Sequence, residues 1–144
     1  MQITKTWLSK NNACQEACDW IVTQEDKGAA SLIRAAVSSN HFAWANWGIV
    51  RLMNRKQKMA HAIFAAEQVL DIFEKKYPED KRPRKAIDAA RKCLEADTAS
   101  NRKAAYAAAA AAYAAAAYAA KRKMQIKILE YGITLINETE VKSK

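Results

Sequence analysis

The chain has 144 residues, of which 51% are hydrophobic, yet its mean hydropathy is only -0.35. Alanine explains the difference, because 31 of the hydrophobic residues are Ala. The chain carries 24 Lys and Arg against 15 Asp and Glu, which gives a net charge of +9, and it contains only three Gly and two Pro. So few turn residues exclude a β-sandwich or barrel with many turns, and the apolar content excludes a disordered chain. We therefore predict an all-α protein.

Three short helices are predicted in the first 53 residues. The first runs from Ala13 to about Thr23 and begins after a cap at Asn11-Asn12. The second covers residues 29–37 after a turn at Asp26–Gly28. The third follows Ser38–Asn40 and carries large apolar residues on nearly all sides as far as Met53, which is typical of a helix at the centre of a bundle.

Two longer helices follow, separated by a turn that contains two prolines. Residues 55–76 carry one apolar stripe and end at Tyr77-Pro78, because the residue before Pro is pushed out of the helical region. Pro83 then favours a helix start, since the first helical position needs no N–H donor. The inward residues predicted for this hairpin are Met59, Ile63, Ala66, Val69, Leu70, Phe73, Ala86, Ile87, Ala90 and Leu94.

An Ala/Tyr tract dominates the rest of the chain. Residues 104–120 contain 14 Ala, three Tyr and no charge. The tract is too short, and alanine inserts too weakly, for a membrane span. From about Asn101 to Asn137 only Gly132 could interrupt a helix, so we predict one long helix near the centre of the bundle, either straight or bent at Gly132. The three Tyr are either spacers in the core or a recognition face. In total we predict a single bundle of about six helices over residues 1–144, with a polar tail over residues 138–144.

The sequence offers no combination of residues that indicates catalysis or a metal centre. The two His are 20 residues apart, and neither a nucleophile elbow nor a Gly-rich phosphate loop occurs. The possible metal ligands are too sparsely spaced for a zinc site; they are Cys14, Cys18, Cys93, His41 and His61. Three Cys cannot form a closed disulfide framework, so we expect reduced, buried thiols in a cytoplasmic protein. We predict no cofactor, no metal and no enzymatic activity.

The basic surplus is concentrated after residue 53, where eight of the nine units of net charge lie. It forms three clusters, which supply the candidate partner-binding residues Arg55, Lys56, Lys58, Lys81, Arg82, Arg84, Lys85, Lys121, Arg122 and Lys123. Such clusters are typical of a solubilising surface, of a contact with an acidic protein or of a nucleic-acid interface. Arg82 and Arg84 could also pair with nearby carboxylates and set the angle between two helices.

The segment around Pro83 resembles a known family. It reads Phe73-Glu74, Tyr77-Pro78, Asp80, Arg82-Pro83-Arg84, Ala86-Ile87 and Ala89-Ala90-Arg91, followed by the Ala-rich tract. This pattern is similar to a family of immunity proteins, the fifth immunity class of polymorphic toxin systems, over about residues 40 to 125. The phrase Trp7-Leu8 with Asn11–Cys14 is also similar to bacteriophage proteins. The family commonly has an aromatic residue where Cys93-Leu94 stands here.

The resemblance implies a protein that acts by binding and blocking another protein. We therefore predict a non-catalytic inhibitor in the cytoplasm of a bacterial host. It is either a toxin-immunity protein or a phage-encoded counter-defence or host-takeover factor, and its partner is a bacterial protein with an acidic surface. The alternatives are a nucleic-acid-binding protein that uses the basic clusters and a phage structural or assembly protein.

Overall fold

A computed structural model describes residues 1–96 and 122–141; for Arg122 and residues 139–141 it describes the backbone alone. The regular structure in these ranges is helical, apart from an isolated antiparallel bridge between Gln2 and Gly28. The helices are α1 (Lys5–Lys10), α2 (Gln15–Thr23), α3 (Ala29–Ser38), α4 (Phe42–Leu52), α5 (Arg55–Lys76), α6 (Arg82–Glu95) and α7 (Arg122–Val141). The prediction of an all-α protein is confirmed.

The described chain divides into two compact units. One comprises Met1–Met53 with Gly132–Lys144, and the other comprises Asn54–Tyr131. The single folding domain predicted over residues 1–144 stays a prediction. The Ala/Tyr tract, predicted as a central helix, lies outside the described residues.

In the first unit, α1 is a helix that the apolar pattern does not predict. It has only six residues and buries only Leu8, so it is too short to show a periodic stripe. The expectation that Asn11-Asn12 starts a helix is wrong, because these residues end α1. Asn11 is the C-cap, and Asn12 adopts a left-handed backbone with φ of 55°. Asparagine tolerates that conformation better than most residues do, and α2 begins after Cys14.

The N-terminal segment is fixed to the turn between α2 and α3. The backbone N–H of Ile3 donates to the carbonyl of Lys27 at 2.8 Å, and the N–H of Ala29 donates to the carbonyl of Met1 at 2.9 Å. The Lys27 ammonium donates to the carbonyls of Ile21, Val22 and Gln24 at the end of α2. A cation in this position satisfies helix carbonyls that have no partner within the helix.

The core of the first unit contains Ile3, Leu8, Ala29 and Leu32, with partly buried side chains packed around them. The prediction that α4 is buried on all sides is wrong. Only Ala45 and Ile49 of this helix are buried, whereas the Val50 side chain is 36% exposed. Ala43 and Asn46 are exposed on the same side of the helix, so α4 has one solvent-exposed face despite its apolar composition.

The second unit is built on the hairpin of α5 and α6. A capping box starts α5, since the Asn54 side chain accepts from the Gln57 N–H at 3.0 Å and the Gln57 side chain accepts from the Asn54 N–H at 2.9 Å. α5 ends at Lys76, as Tyr77-Pro78 predicts, and Pro83 lies in the first turn of α6. The predicted stripes meet in a core of Ile63, Ala66, Leu70, Ile87 and Ala90, with Met59, Ala86 and Leu94 against it.

α7 is continuous through Gly132 and reaches Val141. Residues 138–141 of the predicted polar tail are therefore helical. Within the second unit α7 contacts α5, because the His61 ring Nε2 lies 3.1 Å from the carbonyl oxygen of Ile128 and the rings of Phe64 and Tyr131 stack with centroids 4.1 Å apart. His61 is 7% exposed. Burial lowers the pKa of His61, and the bond to Ile128 partly offsets that shift.

Candidate protein-binding surface

Two ion pairs fix the register of the α5–α6 hairpin. Arg84 forms a two-bond fork with Glu74, with its Nε 2.7 Å from Oε1. Arg91 contacts Glu67, with its Nε 3.1 Å from Oε1. The two carboxylates are seven residues apart on α5 and the two guanidinium groups are seven apart on α6. Each pair therefore lies two helical turns from the other in an antiparallel arrangement.

Arg82 and Arg84 have different roles although they are two residues apart. Arg84 joins the two helices, and its guanidinium lowers the pKa of the Glu74 carboxyl. Arg82 binds Asp80 within the same turn, where its side chain and its backbone N–H lower the pKa of that carboxyl to about 2. The Arg82 side chain is 89% exposed and reaches no neighbouring helix. The predicted structural role therefore belongs to Arg84.

The end of the hairpin around Pro78, which we call the basic tip, carries exposed cations and an aromatic ring. Lys75 and Lys76 lie in the last turn of α5, and the second predicted cluster lies at the start of α6. Tyr77 is 47% exposed; its ring lies 5.0 Å from that of Phe73 and is covered by the Lys76 ammonium at 5.4 Å. Within residues 74–85 six cations stand against three carboxylates, Glu74, Glu79 and Asp80.

The other end of α5 carries the first predicted cluster, and the described part of α7 begins close to Lys123 of the third cluster. His61 contacts residue 128 and Phe64 contacts residue 131, so the sequence offset is 67 in both contacts. A constant offset means that α5 and α7 run in the same direction where they are in contact. Continued along both helices for five residues, the same offset pairs position 123 of α7 with position 56 of α5. We call this end the basic pole; its described residues are Arg55, Lys56, Lys58, Lys123 and Lys127, the last with its ammonium 5.9 Å from the Phe64 ring centroid.

The hairpin that carries this arrangement lies inside a segment with a recognisable family pattern. The family model of the Imm-5 like putative immunity protein matches residues 48–123, just over half of the chain. The chain belongs to this family. No curated protein matches the chain, and no solved structure does.

The match to the Imm-5 like family confirms the resemblance seen around Pro83. It covers the end of α4, all of α5 and α6, and both described basic surfaces up to Lys123. The register pairs of the hairpin, Glu67 with Arg91 and Glu74 with Arg84, both lie in the matched segment. The family pattern therefore coincides with a hairpin whose geometry is held by salt bridges as well as by apolar packing.

The candidate residues of this Imm-5 like chain are divided between the two surfaces. Lys81, Arg82, Arg84 and Lys85 belong to the basic tip, and Arg55, Lys56, Lys58 and Lys123 belong to the basic pole, all of them exposed. Lys121 lies outside the described residues, and Arg122 is described by its backbone alone. The spacing of charges did not reveal Lys75, Lys76 and Tyr77, although their position beside Pro78 places them at the same turn. The seven-residue spacing of Glu67 and Glu74 equals that of Arg84 and Arg91, and this match indicates the register of α5 against α6.

The possible metal ligands of this Imm-5 like chain are dispersed. In the first unit, the His41 ring stacks on Trp44 with centroids 3.9 Å apart. In the second unit, His61 binds the backbone carbonyl of Ile128. Cys93 is buried, Cys18 is partly exposed, and Cys14 is exposed, so the expectation of buried thiols is wrong for Cys14. In the described part of the chain no three His, Cys, Asp or Glu side chains group as metal ligands. The helices of that part are too short or too polar to span a bilayer.

Proposed function

We propose that this chain is a non-catalytic immunity protein that neutralises a toxin by binding it directly. Membership of the Imm-5 like family carries the proposal. The cations at the starts of α5 and α6 also support a binding role. Neither helix has an acidic residue in its first turn, and cations there oppose the helix dipole. Arg82 and Arg84 are paired with Asp80 and Glu74, whereas the lysines at these two helix starts do not stabilise their own helices and suit contact with an acidic partner.

The proposed partner is a bacterial protein with an acidic surface, bound in the cytoplasm. If a phage encodes the chain, the same binding would serve as counter-defence or host takeover against a host protein. In both settings the chemistry is the same, because cations on a rigid hairpin meet carboxylates on the partner. Electrostatic attraction of this kind raises the rate of association most at low salt.

Neutralisation stoichiometry tests the proposal directly. The tagged chain is expressed in the bacterium and purified, and the protein that accompanies it is then produced alone and titrated with the chain in a growth or activity assay. A binding inhibitor must protect in proportion to its amount, with full protection at equal molar amounts. Protection by a small fraction of an equivalent would indicate turnover and contradict a non-catalytic role. Recovery of nucleic acid without any stoichiometric protein would contradict the proposal as a whole.

One observation favours the second candidate function, nucleic-acid binding. Residues 54–66 and 98–129, which include every residue of the basic pole, contain no Asp or Glu. Cations without carboxylates among them suit phosphate contacts. Affinity for duplex DNA or RNA should then fall steeply between 50 and about 200 mM salt. Binding that is absent at low salt, or that does not change with salt, would exclude this function.

A further inference from the structure

We infer that the basic pole, and not the basic tip, is the surface that meets the acidic face of the protein partner. This inference rests on the proposed function and adds the contact surface to it. It commits to a carboxylate-bearing protein as the occupant. Its basis is the parallel register of α5 and α7, which brings together cations that are more than 60 residues apart in the sequence.

The local charge distinguishes the two surfaces. At the basic tip, Asp80 holds Arg82 and Glu74 holds Arg84, so two of the six cations are already bound to carboxylates. At the basic pole, Lys56, Lys58 and Lys123 are exposed and have no carboxylate in their own segments. The N-terminal end of α5, capped by Asn54, adds its positive helix-dipole potential to that of these cations. An acidic surface is therefore attracted more strongly to the pole than to the tip.

The other charged groups near the pole lie beyond it along the helices. By the register of the ion pairs, Lys92 and Glu95 of α6 are level with residues 66 and 63 of α5. By the offset of 67, Glu130 of α7 is also level with residue 63. These positions are at least five residues, or about 7.5 Å along the axis, from Lys58, whereas Glu130 is about one turn from Lys127 at the far edge of the pole. The pole therefore keeps its positive character in the described part of the unit.

The shape of the pole favours a protein over a nucleic acid. Two helices packed side by side have axes about 8 to 10 Å apart, and residues 55 to 60 extend about 8 Å along α5. Such a patch matches a group of three or four carboxylates rather than a long phosphate track. The large exposed hydrophobic side chains of the described residues include none at the pole. Among the described residues, base stacking, which adds strongly to single-strand binding, has no exposed aromatic platform at the pole.

Matched charge reversals test the assignment. The pole variant carries Lys56→Glu, Lys58→Glu and Lys123→Glu, and the tip variant carries Lys75→Glu, Lys81→Glu and Lys85→Glu. Both change the net charge by the same amount on the same unit. The probe is fluorescent poly-L-glutamate, whose affinity is measured by anisotropy at 150 mM salt, with a duplex DNA of equal charge as the comparison ligand. Circular dichroism melting verifies that each variant folds.

We expect the pole variant to weaken binding of poly-L-glutamate by at least about tenfold, and the tip variant to weaken it by less than about threefold. Equal losses in both variants, or a larger loss in the tip variant, would overturn the inference. Tighter binding of the DNA than of poly-L-glutamate to the wild-type chain would overturn it as well. If the pole variant fails to fold, Lys58→Gln with Lys123→Gln replaces it, with an expected loss of about threefold or more.

The neutralisation assay separates this inference from the proposed function. Wild-type chain that protects at equal molar amounts, together with a tip variant that fails and a pole variant that protects, would refute the assignment of the surface and leave the immunity function standing. Wild-type chain that binds poly-L-glutamate through the pole but neutralises no protein would refute the function. Loss of protection in the pole variant alone supports both.

Discussion

Gly48 lies in the middle of α4, where the backbone and its surroundings both favour a larger residue. Its φ is not in the left-handed region. A Cβ atom built on Gly48 meets nothing within 4 Å. The residue also lines an apolar cavity of about 50 Å³, together with Trp7, Trp20 and Trp44. An Ala at this position therefore fits without displacing a neighbour.

The expected gain has two sources. Glycine in a helix interior is less stable than alanine by about 0.5 to 1 kcal/mol, because it loses more backbone entropy on folding. A methyl group that is only partly buried beside the cavity adds a fraction of the roughly 0.8 kcal/mol of a fully buried methylene. Together, Gly48→Ala should raise the free energy of unfolding by about 1 kcal/mol. For a chain of this length the melting temperature should rise by about 4 °C.

Thermal melting followed by circular dichroism at 222 nm measures this gain, and a urea titration checks it at 25 °C. Gly28→Ala is the matched control, since a Cβ at Gly28 would lie 3.0 Å from the Asp26 carboxylate oxygen that binds the Gly28 N–H. We expect no gain from the control. A melting temperature that is unchanged or lower in Gly48→Ala would refute the reasoning, as would an equal rise in the control.

Three further predictions concern the second unit. Ile87→Ala should lower the free energy of unfolding by about 2 to 5 kcal/mol in urea titrations, because it leaves a cavity in the hairpin core. The control Ile72→Ala, at a 50% exposed position of the same hairpin, should lower it far less. Similar losses in the two variants would contradict the assigned core. The pKa of His61 is lowered by burial, so the unfolded chain takes up a proton first as the pH falls. The free energy of unfolding should therefore decrease as the pH drops below about 6.5. His61→Gln should remove this part of the pH dependence, and an unchanged pH profile would contradict the role of His61. Arg84→Ala should lower the melting temperature more than Arg82→Ala does, because only Arg84 joins two helices, and the reverse order would contradict the roles given to them.

The sequence predicts those parts of the fold whose signals are local. α5 follows from one long apolar stripe and from the proline after Tyr77, and both of its ends agree with the structure. The inward face of α6 is predicted for the same reason. α1 is missed because a helix of six residues that buries only Leu8 shows no period. The asparagines at 12 and 40 are read as helix starts, although their left-handed backbone places them after helix ends.

The candidate surfaces depend on tertiary register, which composition does not contain. Charge counts identify the three clusters, yet only the contacts of His61 and Phe64 with α7 give the register that relates Lys123 of the third cluster to the first. The sequence leaves open whether Arg84 binds a partner or pairs with a nearby carboxylate, and its contact with Glu74 selects the pairing. α4 is misjudged because its large apolar side chains suggest burial around the whole helix, whereas Ala43, Asn46 and Val50 leave one face exposed to solvent.

The two units carry different natural probes of unfolding. All four tryptophans, Trp7, Trp20, Trp44 and Trp47, lie in the first unit, whereas Tyr77 and Tyr131 lie in the second, so fluorescence excited selectively at tryptophan reports on the first unit alone. The only cysteine of the second unit is Cys93, which is 2% exposed and therefore reacts with a thiol reagent only when the hairpin opens. Cys14, which is exposed, gives the reference rate in the same sample. Fluorescence and Cys93 labelling that change at the same urea concentration would show cooperative unfolding of the whole chain, and separate midpoints would show that each unit is stable by itself.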